Sequence, residues 1–212
     1  MHISSRLRTL TAVGAAVAGL GAFTAPAAHA SLLGGLLPGI LSPKTAAATC
    51  PVPVQSFKQF GDSTWYQLAN GGSFEGQNTW KLSGGAAVVA DQEPWKVADG
   101  DDANALSLPR GASALSPASC FAFGDVKMRM FVKGTGKLRV NIVVTSLVGS
   151  LLGVLDGGTI QAGQTWQPSP QLSLLLSSVG GLLVTDSIQL RLTSVDGDVV
   201  VDDVYIDPFK VV

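Results

Sequence analysis

Three runs of apolar–polar alternation commit this chain to β structure. In Val126–Lys133, Val126, Met128, Met130 and Val132 fall on one face and Lys127, Arg129 and Lys133 on the other. In Lys137–Thr145, Leu138, Val140, Ile142 and Val144 alternate with Lys137, Arg139 and Asn141. Ser187–Thr193 sets Ile188, Leu190 and Leu192 against Gln189 and Arg191, and Val199–Ile206 follows it. A period of two marks a strand with one buried face, because successive side chains of an extended chain leave on opposite sides. Gly134-Thr135-Gly136 and Asp196-Gly197 link the runs in pairs, which predicts two β-hairpins. No stretch sustains a helical period with caps at both ends. Short apolar runs between Gly, Pro, Asn and Asp clusters, over a length of this order, predict an all-β jelly-roll β-sandwich.

Residues 146–155 and 172–184 are apolar without clean alternation. One reading is a strand buried on both faces; the other is an exposed apolar patch used for association.

The N-terminus predicts export. Arg6 and Arg8 form a basic region, Leu10 to Phe23 an apolar stretch, and Ala28-His29-Ala30 a small-x-small cleavage pattern, so residues 1–30 read as a signal peptide and the mature chain as secreted. The apolar run falls short of the ~20 residues that span a membrane, so no transmembrane segment is expected in the mature chain. Residues 31–49 are rich in Leu, Gly and Pro and read as an apolar leader, with the folded domain expected over 50–212. Cys50 and Cys120, an even pair in an oxidising compartment, predict one disulfide, worth about 4 kcal/mol in the chain-entropy account.

Cleavage after Ala30 removes both histidines, His2 and His29. Ser-His-Asp and Cys-His machinery are then excluded, and so is an imidazole-based metal site. A carboxylate pair of the glycosidase kind has only Glu75 and Glu93 to draw on among glutamates. The pairs Asp101-Asp102 and Asp202-Asp203 are adjacent, and adjacent residues of a regular strand point to opposite faces. Asp99-Gly100-Asp101-Asp102 reads as a solvated or ion-binding turn, and no loop carries the phosphate-cradling Gly-Lys-Ser/Thr ending. An excess of acid over base in the mature chain argues against nucleic acid. A non-catalytic role is expected.

Four short signatures then carry a resemblance. Asn70-Gly71-Gly72-Ser73-Phe74-Glu75 followed by Trp80, Ala105-Leu106-Ser107-Leu108, Gly163-Gln164-Thr165-Trp166 and Val200-Val201-Asp202-Asp203-Val204-Tyr205-Ile206 occur in the order found in jelly-roll carbohydrate-binding modules of the galactose-binding-like superfamily. Over about residues 65–207 the chain resembles that group. The resemblance implies a structural calcium held by Glu75 and Asp202, with Asp203 as substitute; hard oxygen ligands suit that ion. It also implies a carbohydrate or cell-envelope ligand. A sugar needs an exposed aromatic face beside polar groups. The candidates are Trp65, Tyr66, Trp80, Trp95, Phe121 and Phe123, of which Trp95, in the polar run Asp91-Gln92-Glu93-Pro94-Trp95, is foremost and Tyr66 and Trp65 follow. Trp80 and Trp166 hold positions that are core in such modules. The expected function is a secreted binding module. The alternative is a structural or adhesive envelope protein that self-associates through 32–41, 146–155 and 172–184.

Overall fold

The strands assemble into two facing sheets. The computed structural model describes residues 51–119, 125–145, 151–175 and 187–207. Cys50, Cys120, Phe121, Phe123, the expected signal and leader, and residues 146–150 and 176–184 of the two apolar segments lie outside them. After one 3₁₀ turn at Lys58–Phe60 come β1 (Gln67–Leu68), β2 (Lys81–Ser83), β3 (Ala87–Val89), β4 (Ala105–Leu108), β5 (Ser113–Leu115) and β6 (Asp125–Gly134). These are followed by β7 (Lys137–Thr145), β8 (Leu151–Gln161), β9 (Gln167–Pro168), β10 (Leu172–Leu175), β11 (Ser187–Ser194) and β12 (Val199–Ile206). A seven-stranded sheet runs β10-β6-β12-β4-β3, with β1 on β12 and β9 on β6; a five-stranded sheet runs β2-β5-β11-β7-β8. The pairings are antiparallel. The architecture is the jelly-roll β-sandwich expected. Among the described residues no helix is long and apolar enough to cross a membrane.

Neither expected hairpin forms. β6 and β7 belong to different sheets, as do β11 and β12, and each pairs elsewhere: β6 with β12, β7 with β11. The glycine turns are corners at which the chain crosses from one sheet to the other. Alternation identifies the inward face of a strand, and that face is the same whether the next strand lies beside it or across the core. The two corners lock together. Thr135 N donates to Asp198 O (2.9 Å) and Lys137 N to Asp196 Oδ1 (2.7 Å). A Cβ on Gly136 would stand 2.7 Å from the backbone of Gly197, so this crossing tolerates no side chain.

Between the sheets Met128, Met130, Val132, Leu138, Val140, Ile142, Leu190 and Leu192 are buried, as alternation requires, and Val199 and Val201 are buried with them. A second, smaller core lies on the opposite face of the seven-stranded sheet. Phe131 has the other parity from Met130 and Val132, and the 54–66 segment folds over it to bury Phe57, Tyr66, Phe131 and Tyr205. Arg129 on the same face is also buried: its Nε donates to Ser169 O, its guanidinium reaches Asp62 at 2.9 Å, and it lies over the Phe57 ring.

The apolar segments divide. In 151–155, Leu151 (63 % exposed), Leu152 (55 %) and Val154 (45 %) stand open on β8, the last strand of its sheet. In 172–175, β10 pairs with β6, burying Leu174 while Ser173 is exposed. Burial on both faces fits neither strand.

Candidate functional site

The first and last signature motifs meet in space. Ala69 N donates to Val204 O and Val204 N to Gly72 O, which stitches the Asn70–Glu75 turn onto β12. Gly72 is required there, because a Cβ would lie 2.8 Å from Val204 O. Phe74 turns into the core against Trp80, whose Nε1 donates to Asn70 O. At the same place β12 bulges. Its register to β6 shifts between Asp202 and Tyr205, and Asp203 takes a φ of 49°. A bulge interrupts alternation, and Asp202 and Asp203 are both buried, each accepting an amide of the same 93–98 loop. The adjacency argument drawn from a regular strand therefore fails at this pair.

These aspartates hold the loop that carries Trp95. Glu93 N donates to Asp202 Oδ2 (3.0 Å) and Ala98 N to Asp203 Oδ2 (3.0 Å). Within the loop, Glu93 accepts the amides of Trp95 and Val97, each at 2.5 Å, and Asp102 accepts that of Asp99 at 2.8 Å. Lys96 adopts φ 49°, which a non-glycine residue takes only when its surroundings impose it. Glu75 closes the loop's far end. Its Oε1 accepts Ala103 N and Asn104 N, and its Oε2 accepts Asn104 Nδ2.

The loop presents an aromatic surface. Trp95 lies 5.4 Å from Phe131 and meets Phe60 edge-on at 5.0 Å, yet remains 38 % exposed. Two residues along β6, on the same face as Phe131, Lys133 bonds Asp91 (2.6 Å) and lies over the Trp166 ring. Trp166 is itself partly exposed and its Nε1 points to Asp91. Aromatic faces and polar groups thus lie together along one side of the sheet.

Behind this surface sits a cluster of buried carboxyl groups. Burial pushes the Asp202 carboxyl up to about 8, and the neighbouring charge of Asp203 adds to the shift. Asp203 is also raised to about 8, by burial and by the charges of Asp102 and Glu93. Burial raises Glu93 and Asp102 as well. Glu75 moves down: burial opposes its charge, but the amides of Ala103 and Asn104 outweigh that. A cleft of ≈ 410 Å³ opens beside the group, lined by Leu68, Ser73, Glu75, Ala98, Asp99, Asp101 and Asp102. Asp203 Oδ1 is buried and has no hydrogen-bond partner. Among the described residues no three carboxylates stand close enough to make a ready-formed metal cage.

Of the sugar candidates, Trp95 is held out to solvent. Tyr66 is fully buried and its hydroxyl is taken by Asp62 and Gln171, so it presents no ring face. Trp65 is 53 % exposed, but no ring contact among the described residues joins it to Trp95. Trp80 is core, as expected; Trp166 is not. Reading the sequence also missed Glu93 and Asp102 as organisers of the loop. The only available signal was a glutamate two and four residues before the amides it binds, and that pattern is common in turns.

No family model matches the sequence, and comparison with curated proteins found no match. Solved structures similar to this chain include the xylan-binding family 22 carbohydrate-binding module of Paenibacillus barcinonensis, with TM-score 0.45, 17% identity, and coverage of 68% of this chain and 95% of that one. The family 11 carbohydrate-binding module of a cellulosomal cellulase of Clostridium thermocellum aligns with TM-score 0.42, 17% identity and the same coverage, 68% and 95%. The enzymatically active domain of bacteriophage CBA120 tailspike protein 4 aligns with TM-score 0.46 and 15% identity over 66% of this chain, which spans 20% of the tailspike chain.

Proposed function

We propose that this domain is a secreted, non-catalytic carbohydrate-binding module whose sugar platform is Trp95, with Trp166, Lys133 and Asp91 beside it. The observation that carries the reading is the exposed Trp95 ring, packed against Phe131 and Phe60 by a loop that spends several carboxylates on its own amides. Sugars stack their apolar C–H faces on such rings and bond their hydroxyls to adjacent polar groups. A loop ordered before binding loses little entropy when it binds. The carboxyls with the largest upward shifts, Asp202 and Asp203, are sealed from solvent, where they serve the loop and reach no substrate.

Calcium belongs to this reading in altered form. Both oxygens of Glu75 and both of Asp202 already accept hydrogen bonds from the chain's own amides or from Asn104. Asp203 alone keeps an unsatisfied oxygen, Oδ1. A hard divalent cation at that oxygen would have Asp203 as its one carboxylate ligand with a free oxygen, since among the described residues no three carboxylates are gathered to complete a site.

The test is calorimetric titration with xylan oligosaccharides, mixed-linked β-glucan, β-1,4-galactan and peptidoglycan fragments. Binding of one class that is lost in Trp95→Ala supports the module; no heat with any of them rejects it. A second reading, self-association, is favoured by Leu151, Leu152 and Val154 on the outermost strand of the five-stranded sheet, a long apolar edge with no Lys or Pro to blunt it in 151–155. Its occupant is a second copy of the chain, and sedimentation across a concentration series decides it.

A further inference from the structure

The cleft beside the Trp95 loop has a lining that the Trp95 platform does not use. It opens over ≈ 410 Å³, within the range of about 300–1,000 Å³ in which small ligands are held. Glu75, Asp99, Asp101 and Asp102 line it, and no Lys or Arg does. Lys96 bears on Glu75 and Asp102 from outside the lining, with its ammonium on Gly100 O. Clefts walled by one sign of charge gather the opposite sign. Glu75 spends both oxygens on Ala103 and Asn104, so it is a fixed charge and no ligand. Asp102 differs. It faces the cleft while only 4 % exposed, and its Oδ2 accepts the amide of Asp99. Its Oδ1 takes no hydrogen bond among the described residues. A carboxyl covered this far, with one oxygen idle, calls for a donor that the chain does not supply. In the same lining the side-chain oxygens of Asp101 and the Ser73 hydroxyl are also unbonded among the described residues.

We propose that the cleft binds an amino sugar through its free ammonium group, so that this domain takes a glycan whose amino sugars are not acetylated. An ammonium has three N–H donors and no acceptor, which matches the idle carboxyl oxygens of Asp102 and Asp101. Two or three acceptors satisfy it, whereas a metal ion of the Ca²⁺ kind needs about 6–8 oxygens around one point. Among the described residues no three carboxyls are gathered in that way. A lining whose carboxyls do not converge suits a ligand with a body as well as a charge. Leu68 and Ala98 offer the C–H side of a pyranose an apolar wall, and Ser73 can donate to or accept from its hydroxyls. Burial raises the Asp102 carboxyl, and an ammonium beside it favours the charged form, so binding is the event that satisfies this group. An N-acetyl group has one N–H and no charge, and a sugar bearing a carboxylate is repelled by the lining. That a sugar carries the ammonium rests on the module reading above; selection of an ammonium by the cleft does not.

The experiment is calorimetric titration of the purified chain, in EDTA, with oligomers of β-1,4-linked glucosamine and with their N-acetylated counterparts. The glucosamine oligomers bind, and the acetylated ones bind at least about tenfold more weakly, the scale of one lost charge-assisted contact. Added salt weakens the binding, because attraction between partly exposed charges is screened. Asp102→Asn keeps an oxygen for the Asp99 amide but removes the charge, and it lowers affinity for glucosamine oligomers about tenfold. Asp101→Asn changes an exposed residue whose side chain bonds nothing among the described residues. It shows a smaller loss, and it reports independently should the Asp102 variant fold poorly. Equal affinity for the free and acetylated oligomers overturns the proposal, and so does full affinity in both variants. Equal binding of a lysine oligomer also overturns it, because the cleft then reads charge without a sugar. Binding of neutral glycans with no response to glucosamine oligomers removes the cleft site and spares the module reading. Glucosamine oligomers bound, and lost in Asp102→Asn, with no neutral glycan bound, remove the Trp95 platform and spare the cleft.

Discussion

Trp95 rests on Phe131, ring centroid to ring centroid 5.4 Å at an interplanar angle of 32°, so an exposed loop residue is supported by the residue at the centre of the second core. Replacing Phe131 by Ala should remove the floor under Trp95 and the packing of Phe57 together. Large-to-small changes of buried aromatics cost about 3–5 kcal/mol. A urea unfolding midpoint lowered to match, with glycan affinity lost even where the domain remains folded, is the expected outcome.

Trp95→Ala is the complementary experiment. The ring is partly exposed and its removal leaves Glu93's hydrogen bonds to backbone amides intact, so stability should fall by only about 1–2 kcal/mol. Glycan affinity should fall at least about tenfold by calorimetry, the scale of one lost aromatic contact. Trp65→Ala, with no ring contact to this group among the described residues, should leave affinity unchanged.

The Asp62–Arg129 pair predicts an acid limit. Burial acts to raise the Asp62 carboxyl, but hydrogen bonds from Thr64, Tyr66 and Arg129 outweigh it and hold the group at about 2, against an ordinary 3.8. A folded-state value below the unfolded one means that the unfolded chain takes up its proton first as pH falls. The contribution is complete above about pH 4 and is lost as pH drops through 2. It amounts to about 2 kcal/mol for a group this well covered. Stability measured from pH 5 to pH 1.5 should show that loss, and Asp62→Asn should flatten it while lowering the plateau.

The sheet-crossing corners predict an intolerance that exposure alone would not suggest. Gly136→Ala and Gly197→Ala each place a Cβ within 2.8 Å of the other corner's backbone, where no flexible side chain can give way. Each should cost about 2 kcal/mol or more, read as a lower melting temperature. Gly153→Ala, with open space around it, should be tolerated.

For the edge strand, Val154→Lys should be neutral or favourable to the monomer, because the side chain is exposed and a charge guards an open edge. If copies of the chain associate through β8, sedimentation should show that association abolished in this variant.

The sequence by itself determined the strands and their inward faces. Met128, Met130 and Val132, then Leu138, Val140 and Ile142, are core because a period of two admits no other side for them. It also marked Trp95 as an aromatic set in a polar loop, and Asp202-Asp203 as an acidic pair in the last strand. Tertiary structure alone decided which strands are neighbours, since an inward face is satisfied equally by a partner beside it or across the core; hence two expected hairpins became sheet crossings. It alone decided that Phe131, on the polar face of its strand, is buried, because the covering segment with Phe57 and Tyr66 is remote in the chain. The bulge at Asp202–Asp203 was likewise unreadable: one residue of slip reverses which face a side chain occupies, and the contacts that impose it come from Gly72 and Glu93, far away in sequence. Local periodicity records what each residue must avoid or seek, water or core, whereas the identity of the partner is settled by packing among segments that meet only once the chain has folded.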